Sequence, residues 1–196
     1  MAMATYDEKT ALLVVDVQND FADSKGSLYV RDGEAVISII NQETDTARKS
    51  DALVVYTQDW HPESTPHFQK DGGIWPVHCV QGTWGAELHP DLKVVGEVVR
   101  KGAGGEDGYS GFTVRDPRSG EERSTGLEEL LRRRGIERVV VAGLATDYCV
   151  KETAVDGAQK NFDTTVLTSA VRAVDLQAGD GERALQAVEA AGGRLE

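Results

Sequence analysis

The chain predicts an α/β fold of three layers, a mainly parallel, Rossmann-like central sheet between two layers of helices. Two observations carry this. Short apolar runs, of the kind that form strands buried on both faces, alternate from end to end with stretches of helical periodicity. In addition, Asp16, Asp59 and Lys101 each fall at or just beyond the end of such a run. That is the edge at which open α/β sheets bind ligands.

The elements follow in order. Ala11-Leu12-Leu13-Val14-Val15 is a continuous apolar strand ending at Asp16. From about Glu34 to Arg48, Val36, Ile37, Ile40 and Ala47 recur at helical spacing. Ala52 to Tyr56 is a second buried strand, running out through Thr57-Gln58-Asp59. An irregular segment with histidines comes next, and then a strand from Val94 to Arg100 that ends at Lys101. A Gly-rich loop and a hairpin-like insert, Arg115 to Gly120, precede a helix from Gly126 to Arg134, which Gly135 terminates. Arg138 to Gly143 is a strand, about Asp147 to Lys160 a helix, and Thr164 to Thr168 a strand. A helix from Glu182 to Ala191 and a short strand near Arg194-Leu195 complete the chain. With 196 residues and no linker, repeat or low-complexity tract, residues 1–196 read as a single domain.

Composition narrows the function. Twenty-one basic against 33 acidic residues give a net charge of −12, the wrong sign for a phosphate-binding face or an anionic membrane surface. Nucleic acid and membrane are therefore not expected as partners; a small-molecule substrate is, and homo-oligomer formation stays open. The first ten residues are polar and lack the apolar core of an export signal. Cys79 and Cys149 are too few for a disulfide scaffold. The expected compartment is the cytoplasm. A G-x-G-x-x-G pattern starting at Gly102 fails at Asp107, and no phosphate-binding G-x-x-x-x-G-K-[S/T] loop occurs.

Three of the four histidines, His61, His67 and His78, lie close together behind Asp59. Imidazoles and a carboxylate together suit one divalent metal: zinc, iron or manganese. His89 stands apart and reads as structural. Cys149 follows Gly143-Leu144-Ala145-Thr146-Asp147-Tyr148, a strand-turn-helix junction with Thr146 as the expected N-cap. In the first helical turn its thiol pKa would fall, and the free N–H groups could hold an oxyanion. Locally, a nucleophile and a packed core cysteine are equally consistent with this stretch. Cys79 reads as a packed thiol ahead of a metal ligand. Asp16 could be a general base or a loop carboxylate, and Lys101 a partner to both or a solvated lysine. Shared placement on one sheet edge favours the functional reading of each.

Taken together, Val15-Asp16-Val17-Gln18-Asn19-Asp20-Phe21, Asp59-Trp60-His61, Trp75-Pro76-Val77-His78-Cys79, Lys101-Gly102, Tyr109-Ser110-Gly111-Phe112 and Gly143 to Val150 resemble the nicotinamidase/pyrazinamidase branch of the isochorismatase-like cysteine hydrolases. The resemblance implies an isochorismatase-like hydrolase fold and hydrolysis of a linear carboxamide through a thioester. Cys149 would be the nucleophile, Asp16 the proton shuttle and Lys101 the charge beside both. Backbone N–H groups of Ala145 and Cys149 would form the oxyanion hole, with a cis peptide between Leu144 and Ala145. Asp59, His61, His67 and His78 would bind one divalent metal that holds the pyridine nitrogen of nicotinamide. Phe21 and Trp75 would flank the ring and Tyr109 would help close the pocket. Tyr148 departs from the histidine that many relatives carry before the cysteine. The alternatives are another amide or vinyl-ether hydrolase of the same family and a non-catalytic metal-dependent binding domain.

Overall fold

The computed structural model describes residues 4–196; Met1 to Met3, the start of the polar N-terminal stretch, lie outside the described residues. The strands are β1 (Thr10–Val15), β2 (Leu53–Asp59), β3 (Glu97–Lys101), β4 (Thr113–Arg115), β5 (Glu122–Ser124), β6 (Arg138–Leu144), β7 (Asp163–Arg172) and β8 (Arg194–Leu195). Six of them form one sheet in the order β3-β2-β1-β6-β7-β8, and every neighbouring pair is parallel. β4 and β5 pair antiparallel with each other, as the hairpin-like insert predicts.

Strand side chains alternate between two cores. Leu12, Val14, Val54, Tyr56, Val140 and Ala142 face one side, and α2 (Ala35–Lys49) covers them with Val36, Ile37, Ile40 and Ala47. Ala11, Leu13, Val15, Val55, Val139 and Val141 face the other. There α3 (Leu127–Arg133), α4 (Lys151–Gln159) and α5 (Asp180–Ala190) supply Leu127, Leu130, Leu131, Ala154 and Val188. Both faces are apolar because both are covered, which is why the strands read as continuous apolar runs. Truncating a side chain in this packing, Ile40→Ala for example, costs about 2–5 kcal/mol.

The topology fixes where the site lies. From β1 the sheet grows one way through β2 and β3 and the other way through β6, β7 and β8. Such a reversal opens a crevice beyond the carboxyl ends of the strands that flank it. Asp16 leaves β1 at φ 48, a turn that sends the chain out of the sheet at once. Gly143 lets β6 approach β1 closely, since a Cβ there would sit 2.1 Å from the Val15 carbonyl oxygen.

Several boundaries differ from the sequence reading, and the strand expected to end at Thr168 runs on to Arg172. The strand expected from Val94 begins at Glu97, and Val94 and Val95 are exposed ahead of it. The helix expected from Asp147 divides into a π-helical turn, Thr146–Val150, and α4. A four-residue helix, α1 (Asn19–Ala22), follows β1 without having been expected, too short for periodicity to register. Among the described residues no helix is long and apolar enough to cross a membrane.

Candidate active site

Lys101 sits at the centre of the strand-end cluster. It closes β3 beside Asp59, its register partner on β2. Its ammonium reaches Asp16 Oδ2 and Asp59 Oδ1, each at 2.7 Å, and donates to the Gly108 carbonyl. Its hydrogen bonds go to Asp59 Oδ1, the Gly108 carbonyl and Cys149 Sγ, and Asp16 Oδ2 is held as an ion pair. Cys149 Sγ accepts from the ammonium at 3.6 Å. Asp16 Oδ1 accepts from the Thr57 hydroxyl at 2.6 Å, and the same hydroxyl accepts from the Asp16 N–H at 3.2 Å. Asp16 and Lys101 are fully enclosed. Asp16, Asp59 and Cys149 bring ligand atoms within 4.8 Å of one another.

Burial decides the protonation states here. It opposes the Lys101 charge, but Asp16 and Asp59 outweigh it and hold the ammonium well above the ordinary lysine value. Burial raises Asp16 above the usual carboxylate range, with Lys101 pulling the other way. For Cys149 burial dominates; Lys101 opposes it, but Asp16 and Asp59 add to it, and the thiol stands well above its ordinary value. The expectation of a lowered thiol pKa is thus corrected. Ala145, not Thr146, precedes the turn, and no side chain caps it. Enclosure among two carboxylates outweighs the helix-end effect.

The second cluster lies on the loop between β2 and β3. His61, His67 and His78 are all buried, and their ring nitrogens come within 4.8 Å of one another. Asp59 adjoins them: its Oδ2 is 3.5 Å from His61 Nε2 and 3.8 Å from His78 Nε2. The Nδ1–H of His78 donates to the Pro76 carbonyl at 2.7 Å, which leaves Nε2 as its free lone pair. Both ring nitrogens of His61 are buried without a hydrogen-bond partner. Buried polar atoms are rarely left so, and a cation held by the three rings would satisfy one of the two. Burial lowers the His67 pKa and favours the neutral ring, the form that ligates. The donor set therefore fits a divalent metal. Gly102 makes room for the His61 ring, since a Cβ there would lie 2.6 Å from it.

Cys149 and Asp59 of the first cluster and His67 and His78 of the second line one cavity. Cys149, Ala145 and Leu144 form one wall, Asp59, His67 and His78 another, and Phe21, Trp75, Tyr109 and Tyr148 the aromatic rim. The Trp75 indole N–H donates to the Tyr109 hydroxyl at 2.8 Å and the ring meets Tyr148 edge-on at 4.8 Å. A cis peptide joins Leu144 to Ala145. Residues 10–195 match the model of the isochorismatase domain. The chain belongs to the isochorismatase family. Within this family it is 36% identical to the nicotinamidase of Escherichia coli K12 over 203 residues, 94% of this chain and 93% of that one. A zinc complex of Pyrococcus horikoshii pyrazinamidase superposes with a TM-score of 0.85 at 36% identity, covering 96% of this chain and 98% of that one. PnC1 from L. infantum, solved with nicotinate, gives 0.90 at 36% identity, covering 100% and 96%.

The structure gathers every residue singled out in the sequence at this one crevice, apart from the two set aside. His89 accepts the Asp91 N–H at 3.2 Å and Cys79 is fully buried, its N–H donating to Asp20 at 2.7 Å. Sequence reasoning missed the supports. Gln18 clamps Asp59 by its backbone, donating to its carbonyl and accepting its N–H, each at 2.8 Å. Thr57, Asp107 and the apolar walls Leu28, Val30 and Val174 were also missed. A polar Thr57 closing an apolar strand was a signal open to reading. Asp107, in a Gly-rich loop, carried none.

Proposed function

We infer that this protein is a nicotinamidase, a cysteine amidohydrolase that converts nicotinamide to nicotinate and ammonia and also accepts pyrazinamide. One observation carries the reading: a buried thiol flanked by Asp16 and Lys101 opens into the same aromatic-rimmed cavity as a set of histidines suited to a metal. The nicotinamidase relative, the pyrazinamidase neighbour and the nicotinate-bound neighbour support the substrate.

In the proposed mechanism Asp16, with its raised pKa, takes the Cys149 proton as the sulfur attacks the carboxamide carbon. Lys101, permanently charged, stabilises the thiolate as it forms. N–H groups of Ala145 and Cys149 receive the oxyanion. Asp16 returns the proton to the amide nitrogen, the C–N bond breaks, and ammonia leaves a thioester on Cys149. Asp16 then deprotonates water, which attacks the thioester carbon; the C–S bond breaks, and the thiol is reprotonated as nicotinate forms. Asp59, His61, His67 and His78 would hold a divalent metal, zinc in our reading, which would supply a Lewis-acid anchor for the ring nitrogen. Phe21 and Trp75 flank the ring, and Tyr109, tied to Trp75, closes the pocket. We place the enzyme in the cytoplasm as a single domain, consistent with two free, buried cysteines and two cores on one sheet.

The test is ammonia release from nicotinamide by purified protein, beside Cys149→Ala. The wild type turns over, and the variant loses on the order of 10⁴-fold or more in kcat. Undiminished turnover in the variant would sink the covalent mechanism.

A further inference from the structure

Asp107 has no part in the chemistry above, yet it makes one of the short contacts of the site. Its Oδ1 lies 2.6 Å from His67 Nδ1. An ionised carboxylate can only accept, so Nδ1 carries the hydrogen and Nε2 keeps its lone pair. Among the described residues, His67 is the one member of the histidine set whose Nδ1 rests on a carboxylate: His78 uses the Pro76 carbonyl and His61 Nδ1 has no partner. Asp107 stands outside the group of converging ligand atoms, so it supports a donor rather than being one.

The loop that carries Asp107 contains Gly102, Gly104, Gly105 and Gly108 and would not hold a side chain in place by itself. It is fixed from two sides. The Asp107 N–H donates to the Arg115 carbonyl at 2.8 Å, and the Arg115 N–H donates back at 2.9 Å. Arg115 closes β4 and is paired with Glu122 of β5, so the hairpin acts as the mount. From the front, the Thr65 hydroxyl donates to the Gly105 carbonyl at 2.6 Å and accepts the His67 N–H at 3.2 Å. The loop of Asp107 is thus tied to the histidine loop on one side of the His67–Asp107 contact and to the hairpin on the other.

We propose that Asp107 is the positioning residue for His67, and that the β4–β5 hairpin holds it there. The proposal rests on the reading of His67 as a metal ligand. A carboxylate on the remote ring nitrogen fixes the tautomer, orients the ring and makes the ligating nitrogen more basic.

The experiment measures zinc affinity of the metal-stripped protein by competition with a chromogenic chelator, and the His67 tautomer by nitrogen-15 NMR without metal. Asp107→Ala lowers zinc affinity about 10–100-fold and releases His67 from the Nδ1–H form, while the urea midpoint of the metal-free protein stays at the wild-type value. Asp107→Asn, whose amide oxygen can still accept, retains the tautomer and loses less affinity. Arg115→Pro, which lacks the N–H donated to Asp107, weakens zinc in the same direction; wild-type affinity there would remove the hairpin from the proposal. His61→Ala separates the two readings. If it loses zinc while Asp107→Ala keeps both affinity and tautomer, the brace is overturned and the metal site stands. If His61→Ala also keeps wild-type affinity, the metal reading falls and the brace with it.

Discussion

Asp16 and Lys101 stand at the ends of β1 and β3 and Cys149 on the turn after β6, whereas His61, His67 and His78 stand on the irregular loop between β2 and β3. The strand-end cluster is nearly complete in itself. Its ammonium meets two carboxylates and a carbonyl, and Thr57 takes up one of the remaining oxygens. The histidine cluster is not: both nitrogens of His61 are buried and unpaired. The contrast teaches a division of labour. On the proposed mechanism, the groups that would move protons are held by the sheet, with their charges compensated by the chain, and the groups that would anchor the substrate are carried by a loop. Asp59 belongs to both, with Oδ1 toward Lys101 and Oδ2 toward His61 and His78.

Substitutions on the two sides should therefore fail differently. The largest effect expected on the strand-end side, beyond loss of the thiol, comes from Asp16→Asn. It removes the proton acceptor while keeping the shape, and kcat for nicotinamide should fall about 10²–10⁴-fold with KM little changed. A change confined to KM in steady-state kinetics would place Asp16 on the binding side and break the comparison. Next, Lys101→Met leaves Asp16 and Asp59 facing each other without a counter-ion in an enclosed site. Urea unfolding should show a loss of about 3–5 kcal/mol. Wild-type stability would mean that the cluster is not compensated by the chain. The smallest effect is expected from His61→Ala. The proposed anchor for the ring is lost while Asp16, Lys101 and Cys149 keep their contacts, so KM should rise about tenfold, roughly 1.4 kcal/mol, with kcat less affected. Equal losses in kcat and kcat/KM would instead assign the histidines to the transition state.

The aromatic rim belongs with the histidine side. Tyr109, which burial pushes up to about 12, remains a neutral hydroxyl able to accept from Trp75. Tyr148 packs edge-on against Trp75, so the residue that departs from the common family pattern is part of the pocket wall.

Much of this was legible along the chain. Apolar runs and helical periodicities gave the parallel sheet because buried strands and amphipathic helices differ in local pattern. Asp16, Asp59, Lys101 and Cys149 could be placed near one edge because strand ends are visible in sequence. The boundaries that failed, at Val94, at Thr146 and at Asn19–Ala22, lie where the pattern is too short or where a turn departs from α geometry.

By itself the sequence determined the strand–helix alternation, the residue types at the strand ends and the grouping of three histidines behind Asp59, since these depend on local pattern and composition. Only the tertiary structure decided how they meet. Strand order carries Lys101 of β3 across β2 to Asp16 beyond β1. It decided that Cys149 is a protonated thiol, because enclosure between carboxylates outweighs the turn it sits on. It also decided that Asp107, silent in a glycine-rich loop, faces His67. Convergence and desolvation arise from contacts between residues far apart in the chain, and no local pattern encodes them.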